Sequence, residues 1–225
     1  MAFGGTTTFV DGTVLYRWML TESEDELKAL CEAEGMPCDC HAGAAGRRKE
    51  MLAERLLMKR IFGIHTPIEH NNDRKPFVAD SNLHITITHA RGLVGIAINH
   101  DHPIGIDVEH YRDQVLKVRR AFLSAEEQEW LASDDLVAHL IAWTTKEAIF
   151  KAVSKRDLVG NYREDIVLKK FSTPHIGEEI IHTGHFKGKD FYLHTELSDD
   201  YVTTFTCEKE AQETSRKRAS KTSFN

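Results

Sequence analysis

The chain is poor in cysteine and proline and has no long apolar run. It contains four cysteines and five prolines in 225 residues. No stretch has the length of apolar sequence that crosses a bilayer, and Met1 to Gly12 lacks the basic and apolar regions of a signal peptide. The formal net charge of -6 gives no global field that would attract nucleic acid. We therefore expect a cytoplasmic protein that contacts neither membrane nor nucleic acid.

The cysteines do not follow a standard metal-binding spacing. Cys31, Cys38 and Cys40 fall in one short stretch that is followed by His41. A zinc site is conceivable, but the spacing is not the paired C-x-x-C of structural zinc sites, and no second pair of ligands follows. Free thiols in a reducing compartment are the favoured interpretation.

The first part of the chain predicts two helices followed by a hairpin. Hydrophobic residues make up 41% and charged residues 28%, which is typical of a globular protein. The pattern predicts a helix with Thr21 as its N-cap that ends at Gly35, and a second helix over 47–62 that is closed by Gly63. The runs LHITITHA and GLVGIAIN then predict a hairpin with its turn at 90–92.

The second part begins with a further strand, IGIDVE, and becomes helical, with Ser124 and Ser133 as candidate N-caps. Four more strands are predicted beyond Gly160. The chain is therefore predicted to be α+β, a pseudo-dimer of two similar halves in which antiparallel strands pack on helices. The predicted halves are 1–102 and 103–207, and the polar residues 208–225 are predicted to form a flexible tail.

The strand IGIDVE carries the first chemical signal, because successive side chains on a strand face opposite sides. One predicted set faces the core: Ile104, Ile106 and Val108. The opposite set is Gly105, Asp107 and Glu109, whose two carboxylates repel each other unless a cation lies between them. Oxygen ligands favour a hard ion, and Mg²⁺ fits best if a diphosphate supplies further oxygens, with Gly105 leaving room for that ligand. The alternative is an exposed strand end that begins a loop.

The second signal is WTTKEAIFK, residues 143–151, inside a helical pattern. Trp143, Glu147 and Lys151 are four residues apart and line up on one helix face. Glu147 could complete a magnesium site with Asp107 and Glu109. Lys151 could contact the phosphate that gains charge as a bond breaks, or accept a proton. The alternative is a solvated i, i+4 pair of Glu147 and Lys151.

The third signal is basic: GRRKE at 46–50, Lys75 before Pro76, and Thr88 with His89 at a strand end. A diphosphate needs donors from several elements, because one lysine cannot neutralise it. Each of these residues also has an ordinary alternative, since the basic helix face could be solvated and His89 could be a turn or core histidine.

Together these residues resemble the Sfp-type 4'-phosphopantetheinyl transferase family. GIDVE is similar to its G-[VI]-D-[VI]-E strand and WTTKEAIFK to its W-x-x-K-E-x-x-x-K helix, and with the K-P and T-H elements the resemblance covers about residues 46–152. It implies a monomer of two halves with coenzyme A and Mg²⁺ in the cleft between them. The implied activity moves 4'-phosphopantetheine from coenzyme A to a serine of an apo acyl or peptidyl carrier protein and releases 3',5'-ADP.

The resemblance also implies residue roles. Three acidic positions match magnesium ligands: Asp107, Glu109 and Glu147. Lys151 matches the residue at the reacting phosphate, and either it, Glu147 or a bound water would deprotonate the carrier serine. Five matching positions are assigned to coenzyme A, namely Lys49, Lys75, Thr88, His89 and Lys151, and Arg48 could share the phosphate-binding role.

The chain departs from the family pattern at three places. Thr88, His89 and Ala90 replace Ser-His-Ser, which puts one hydroxyl contact in doubt. Arg74 replaces the glycine of Gly-Lys-Pro, and Lys49 replaces a frequent arginine, which loses a bidentate contact to phosphate. None of these changes removes a metal ligand.

Two other functions stay open. One is a catalytically silent module of the same fold that binds coenzyme A or a carrier, and the other is a divalent-metal phosphohydrolase. For the transferase, an acidic carrier is expected to dock near FLSAEEQEW, residues 122–130, or at the loop after Lys151. The sequence does not identify the carrier or its pathway, whether fatty-acid, polyketide or peptide synthesis.

Overall fold

The computed structural model of the protein describes residues 3–9, 11–41, 43–153 and 162–207. The chain divides into two units between His102 and Pro103, and the short segment Phe9–Gly12 belongs to the second unit rather than the first. Each unit combines antiparallel strands with helices, so the predicted α+β class is confirmed. The predicted tail, 208–225, lies outside the described residues.

The first unit is built on a four-stranded antiparallel sheet of order β1-β2-β6-β5. Its strands are β1 (Phe3–Thr8), β2 (Val14–Met19), β5 (His84–Ala90) and β6 (Leu93–Asn99). The predicted hairpin is confirmed as β5 and β6, and every residue of β6 is buried. Two short strands, β3 (Glu69–His70) and β4 (Pro76–Phe77), pair with each other.

The helices of the first unit are α1 (Glu24–Ala33) and α2 (Ala45–Phe62). The predicted cap at Thr21 is wrong, because Ser23 is the N-cap and forms a capping box with Glu26. The Ser23 N–H donates to the Glu26 carboxylate at 2.7 Å, and the Glu26 N–H donates to Ser23 Oγ at 3.2 Å, which requires the spacing of three residues. Gly63 ends α2 in the left-handed region at φ 74°, as predicted.

The second unit contains a five-stranded sheet of order β7-β11-β10-β9-β8, in which all neighbours are antiparallel. Its strands are β7 (Ile106–His110), β8 (Ile166–Leu168), β9 (Glu179–Phe186), β10 (Lys189–Leu197) and β11 (Tyr201–Cys207). The strand with the two carboxylates, β7, pairs with the last strand, so Asp107 lies opposite Thr204 and Glu109 opposite Val202.

The helices of the second unit are α3 (Gln114–Phe122), α4 (Ala125–Trp130), α5 (Leu136–Ala152) and α6 (Tyr162–Asp165). The predicted cap Ser124 is confirmed on α4, but Asp135 rather than Ser133 caps α5, because its carboxylate accepts the Ala138 N–H at 2.9 Å. Ten residues of α5 are buried, as expected for a helix that is apolar on most sides. None of the described helices is long and apolar enough to cross a membrane.

Two glycines allow α5 to lie very close to the sheet. A Cβ atom at Gly105 would collide with the Ala148 carbonyl and come within 2.8 Å of the Ala152 nitrogen, and one at Gly184 would collide with the Ile149 side chain. The expectation that Gly105 leaves room for a ligand is therefore wrong. Its missing side chain makes room for the backbone of α5, which is how the helix and β7 come into contact.

Candidate active site

The candidate site lies where α5 packs against β7. Asp107 is buried and Glu109 is half-buried, so the alternative of an exposed strand end does not apply to this pair. Both side chains make contacts to α5: Asp107 contacts Lys151, and Glu109 contacts Trp143. The side of β7 that carries the acidic residues is thus the side that the helix covers.

Lys151 joins the end of α5 to β7. Its Nζ lies 2.7 Å from Asp107 Oδ1 and donates to the Ile106 carbonyl at 2.9 Å. The lysine side chain keeps 24% of its surface exposed, whereas the Asp107 side chain keeps 9%. The ion pair is therefore partly shielded from water. Lys151 belongs to α5, and its ammonium group bonds to β7.

Glu109 is held by two donors. Trp143 Nε1 donates to its Oε1 at 3.0 Å, and Arg112 Nη2 donates to the same oxygen at 2.9 Å. Burial raises the pKa of the Glu109 carboxyl, the charge of Asp107 raises it further, and Arg112 and Trp143 oppose this shift. The two carboxylates therefore repel each other across the face of β7, as the alternation along the strand predicts.

Glu147 lies one helical turn after Trp143 and one turn before Lys151, and its side chain is half-buried. Residues four apart share a helix face, so Glu147 lies on the same face of α5 as Trp143 and Lys151. These two residues contact β7 one turn before Glu147 and one turn after it. Asp107, Glu109 and Glu147 are not among the groups of described residues whose ligand atoms all lie within 4.8 Å of one another. All-oxygen donors of this charge are the type that suits a hard divalent cation, so it is the chemistry of the three carboxylates, rather than a formed cluster, that fits Mg²⁺.

A different group of potential ligands is closer together. Glu179, His194 and Glu196 place three ligand atoms within 4.8 Å of one another in the described part of the chain. His194 Nε2 lies 2.7 Å from Glu179 Oε2, so two of the three residues are already joined by a hydrogen bond. A mixed imidazole and carboxylate set favours transition metals over Mg²⁺, so this group is not an alternative magnesium site.

In the first unit, Arg48 pairs within the fold. Its Nε donates to both carboxylate oxygens of Glu24, at 2.9 and 3.0 Å, and its Nη1 donates to the Gly43 carbonyl at 2.7 Å. Hydrogen bonds from Arg48 and Lys28 lower the pKa of Glu24 to about 2. Arg48 thus joins α2 to α1, and the neighbouring Lys49 is half-buried.

The structure brings His89 together with Arg47, which belongs to the basic stretch 46–50 but was not among the residues assigned to coenzyme A. Arg47 Nη1 lies 3.0 Å from His89 Nε2 and 3.0 Å from Glu54 Oε1, and His89 Nε2 lies 2.7 Å from the same Glu54 oxygen. Arg47 also pairs with Glu50 at 3.0 Å. The spacing of 47, 50 and 54 along one helix face was the signal that could have favoured Arg47 over Arg48.

The remaining predicted coenzyme A positions have separate settings. Thr88 is buried at 1% exposure, and a side chain at Gly95 on β6 would meet its methyl group. The turn before Lys75 is shaped by Asn71, whose Oδ1 accepts the Asp73 and Lys75 N–H groups at 2.9 and 3.0 Å. Arg74 adopts φ 59°, a left-handed conformation that explains why the family pattern has glycine there.

Lys146 and Glu127 form an ion pair that sequence reasoning missed. Both side chains are fully buried and their charged atoms are 2.7 Å apart. The available signal was a lysine inside an apolar helix pattern, which requires a buried partner because a buried charge is costly when unpaired.

The cysteine stretch does not gather metal ligands within the described residues. Cys31 lies in the core of the first unit, where burial raises the pKa of its thiol to about 11. Cys38 Sγ contacts the Met36 carbonyl at 3.3 Å. Since zinc binds the thiolate, an apolar setting that keeps Cys31 protonated is unfavourable for a zinc ligand.

Comparisons with known proteins relate the second unit to a family. Residues 103–206 match the sequence model of the 4'-phosphopantetheinyl transferase superfamily. The chain is similar to the 4'-phosphopantetheinyl transferase gsp of Aneurinibacillus migulanus, with 32% identity over 117 residues. That alignment covers 48% of this chain and 48% of the relative, so the chain matches about half of the relative's length. The family match contains β7 and α5, and the basic residues of the first unit lie outside it.

Proposed function

We propose that the protein is a magnesium-dependent 4'-phosphopantetheinyl transferase, a proposal supported by the match of residues 103–206 to the sequence model of the 4'-phosphopantetheinyl transferase superfamily. Its reaction moves 4'-phosphopantetheine from coenzyme A to a serine of an apo acyl or peptidyl carrier protein and releases 3',5'-ADP. The observation that carries the proposal is the contact of β7 and α5, where Lys151 lies 2.7 Å from Asp107 beside a second carboxylate, Glu109. We further propose that the protein works as a cytoplasmic monomer.

Three side chains hold the cation in this proposal: Asp107, Glu109 and Glu147. A bound Mg²⁺ supplies positive charge that offsets the charge of the coenzyme A diphosphate. The raised pKa of Glu109, caused by burial and then by Asp107, supports the assignment because a cation near both carboxylates removes their repulsion. The packing of α5 on β7 keeps the acidic residues in place before any ligand arrives.

Lys151 acts as a cation at the transferring phosphate. It pairs with Asp107, which would also hold the cation, so Asp107 would be less available to the Lys151 ammonium when the cation is bound. The ammonium can then donate to a phosphate oxygen and stabilise the charge that develops on it. Because Lys151 serves as a charged donor, Glu147 or a water molecule is left to accept the proton of the carrier serine.

The transfer itself is an in-line displacement. The serine Oγ forms a bond to the β-phosphorus of coenzyme A, and the bond from that phosphorus to the bridging oxygen breaks. The bridging oxygen leaves with 3',5'-ADP, and the serine proton passes to the base. The protein contributes position and charge, which are the main sources of catalysis in phosphoryl transfer.

The nucleotide end of coenzyme A is assigned to basic residues of the first unit. The resemblance provides three of them, Lys49, Lys75 and His89, together with the hydroxyl of Thr88. Arg48 could share the phosphate-binding role of Lys49, and the structure adds Arg47 beside His89. We give the larger share of phosphate binding to Lys49 and Lys75, because Arg47 is engaged with Glu50 and Glu54. Arg48 is engaged with Glu24 and Thr88 is buried, so their contribution through the side chain is expected to be smaller.

The docking surface expected at residues 122–130 is not suited to an acidic carrier. Phe122 and Leu123 are buried, and the exposed charges of that segment are Glu126 and Glu129. The second expected surface, in the loop after Lys151, extends into 154–161, which lies outside the described residues.

We assign the carrier to α3 instead. This helix exposes Lys117, Val118 and Arg120. Val118 is a large hydrophobic residue that is 37% exposed. The helix follows β7 directly through Arg112, the residue that contacts Glu109. A basic and partly apolar helix complements the acidic helix of a carrier protein.

Mass spectrometry of apo carrier proteins tests this function. Apo acyl and peptidyl carriers are incubated with the protein, coenzyme A and Mg²⁺, and EDTA is added to matched samples. A transferase adds one phosphopantetheine to the carrier serine, and EDTA stops the addition. A silent module binds without changing the carrier mass, and a phosphohydrolase releases phosphate or nucleotide without any carrier. Either of these two results rejects the proposal.

A further inference from the structure

A buried lysine and a buried glutamate form an ion pair in the second unit that the proposed reaction does not use. The side chains of Lys146 and Glu127 are 0% and 1% exposed, and Nζ lies 2.7 Å from Oε2. Burying two charges costs about as much free energy as their attraction returns, so apolar residues of similar volume are often equally stable in such places. Stability alone therefore does not account for the pair.

Glu127 joins three elements through its two oxygens. Oε2 accepts the Ser124 N–H at 2.8 Å at the start of α4, and Oε1 accepts the Leu168 N–H at 2.7 Å in β8. Lys146 reaches the same carboxylate from α5. The two backbone donors fix where the carboxylate lies, and the directional ion pair then fixes where the Lys146 ammonium must lie.

Lys146 comes directly before Glu147 in α5. Consecutive helix residues are turned by about 100° around the axis, so the two side chains leave the helix in different directions. One direction leads to the Glu127 carboxylate. The other belongs to the face on which Trp143 and Lys151 contact β7. A helix held on two sides cannot rotate or slide without breaking one of these contacts.

We propose that Lys146 and Glu127 are a positioning pair that fixes the rotation and register of α5, so that Glu147 and Lys151 meet Asp107 and Glu109. The inference rests on the proposed transferase function. It predicts that the pair acts through the metal and phosphate site, because a displacement of ~1 Å at a reacting group can lower the rate ~100-fold.

The main experiment removes both charges while keeping the volume. In the double variant Lys146→Met/Glu127→Gln, no unpaired charge is buried, and the amide oxygen introduced at position 127 can still accept the Ser124 N–H, whereas the Leu168 N–H loses its acceptor. We expect a folded protein with a moderately lower urea midpoint, a Mn²⁺ affinity in the presence of coenzyme A about 10-fold weaker, and a kcat about 10-fold lower or more. Electron paramagnetic resonance of free Mn²⁺ measures the affinity independently of turnover.

A second variant keeps the test decisive if the double variant does not fold. Glu127→Asp retains the charge but shortens the side chain by one methylene, so the pair can form only if α5 shifts. We expect a folded protein with Mn²⁺ affinity and kcat between those of the wild type and the double variant. The exposed pair Lys169 and Asp190, 2.8 Å apart, provides the matched control, and Lys169→Met/Asp190→Asn should change neither quantity.

The outcomes separate this inference from the proposed function. If the folded double variant or a folded Glu127→Asp keeps wild-type Mn²⁺ affinity and kcat, the pair is only structural and the inference is wrong. If the wild-type protein binds no Mn²⁺, the proposed metal site and the inference fail together. If the wild type binds Mn²⁺ but modifies no carrier, the transferase function fails, and the Mn²⁺ affinities of the variants still decide whether the pair positions α5.

Discussion

The two long helices carry the charged motifs of this protein in opposite settings. α2 has 18 residues and α5 has 17, so their lengths are nearly equal. Arg47 on α2 keeps 45% of its side chain exposed, whereas Lys146 on α5 is fully buried. A charge at the surface is solvated whether or not it has a function. A buried charge needs a partner, so each buried charged side chain on α5 indicates a specific contact.

The comparison shows where the evidence for function is strongest. On α5, each charged group that contacts β7 or α4 lies within a few ångströms of its partner. The packing of α5 against the sheet and α4, which brings these groups together, is part of the fold. On α2, Arg47 and Arg48 have structural partners, Glu54 and Glu24, and these partners explain the two arginines without a ligand. Variants on the two helices should therefore differ sharply in effect.

The largest effect is expected on α5 for Glu147→Ala. Loss of one of three carboxylate ligands should lower kcat/KM for carrier modification by about 1,000-fold, because the charge of the diphosphate is no longer offset. The unfolding free energy should change little, since the side chain is only half-buried. The matched control is Glu129→Ala on α4, which should keep full activity. Wild-type activity in the Glu147 variant would falsify its role as a ligand.

The next effect concerns the close approach of α5 to the sheet. Gly105→Ala should lower the unfolding free energy by about 3 kcal/mol, because the added Cβ collides with the Ala148 carbonyl. Urea denaturation measures it. The matched variant Gly46→Ala on α2 meets nothing within 4 Å and should stabilise by about 0.5 kcal/mol. Equal effects of the two substitutions would show that α5 packs less closely than described.

A pH effect is expected from the buried polar groups beside α5. His182 Nε2 lies 2.8 Å from Thr195 Oγ1, which is 2.7 Å from Thr204 Oγ1, which is in turn 2.7 Å from Thr144 Oγ1 on the helix. Burial lowers the pKa of His182 to about 3 from 6.5. Below pH 6.5 the unfolded chain therefore binds a proton that the folded protein does not, so stability falls as the pH falls and the loss ends near pH 3.

The free energy of unfolding should fall by about 2 kcal/mol from pH 6.5 to pH 5, since one pKa unit corresponds to ~1.4 kcal/mol. Urea midpoints at several pH values measure it, and His182→Gln should remove this part of the slope. A wild-type midpoint that is flat from pH 6.5 to pH 5 would contradict the buried, neutral histidine.

The smallest effect is expected on α2. Lys49→Ala should raise the dissociation constant of coenzyme A about 3-fold to 5-fold, and less at high salt, because a partly exposed charge is screened by ions. Isothermal titration calorimetry at two salt concentrations measures it. Lys59→Ala, in the last turn of the same helix, should leave the affinity unchanged. If both variants weaken binding equally, the effect comes from net charge and not from a phosphate contact.

The sequence predicted much of the fold because its signals are local. The periodicity placed α2 and the hairpin of β5 and β6, and Gly63 and Ser124 marked the end and the start of helices. The misplaced caps at Thr21 and Ser133 show the limit of such signals. Several polar residues lie near each helix start. The N-cap is the residue whose side chain is correctly placed to accept a backbone N–H of the first helical turn, and in a capping box the side chain three residues later accepts the N–H of the N-cap.

The sequence by itself determined the elements and the chemical types of the site: two carboxylates on one face of a strand, and a tryptophan, a glutamate and a lysine on one face of a helix. Only the tertiary structure decided which groups meet. It turned Gly105 toward the backbone of α5, placed Arg47 rather than Arg48 beside His89, and paired Lys146 with Glu127. The reason is that periodicity follows from the backbone of each element alone, whereas contacts depend on how elements distant in the chain pack.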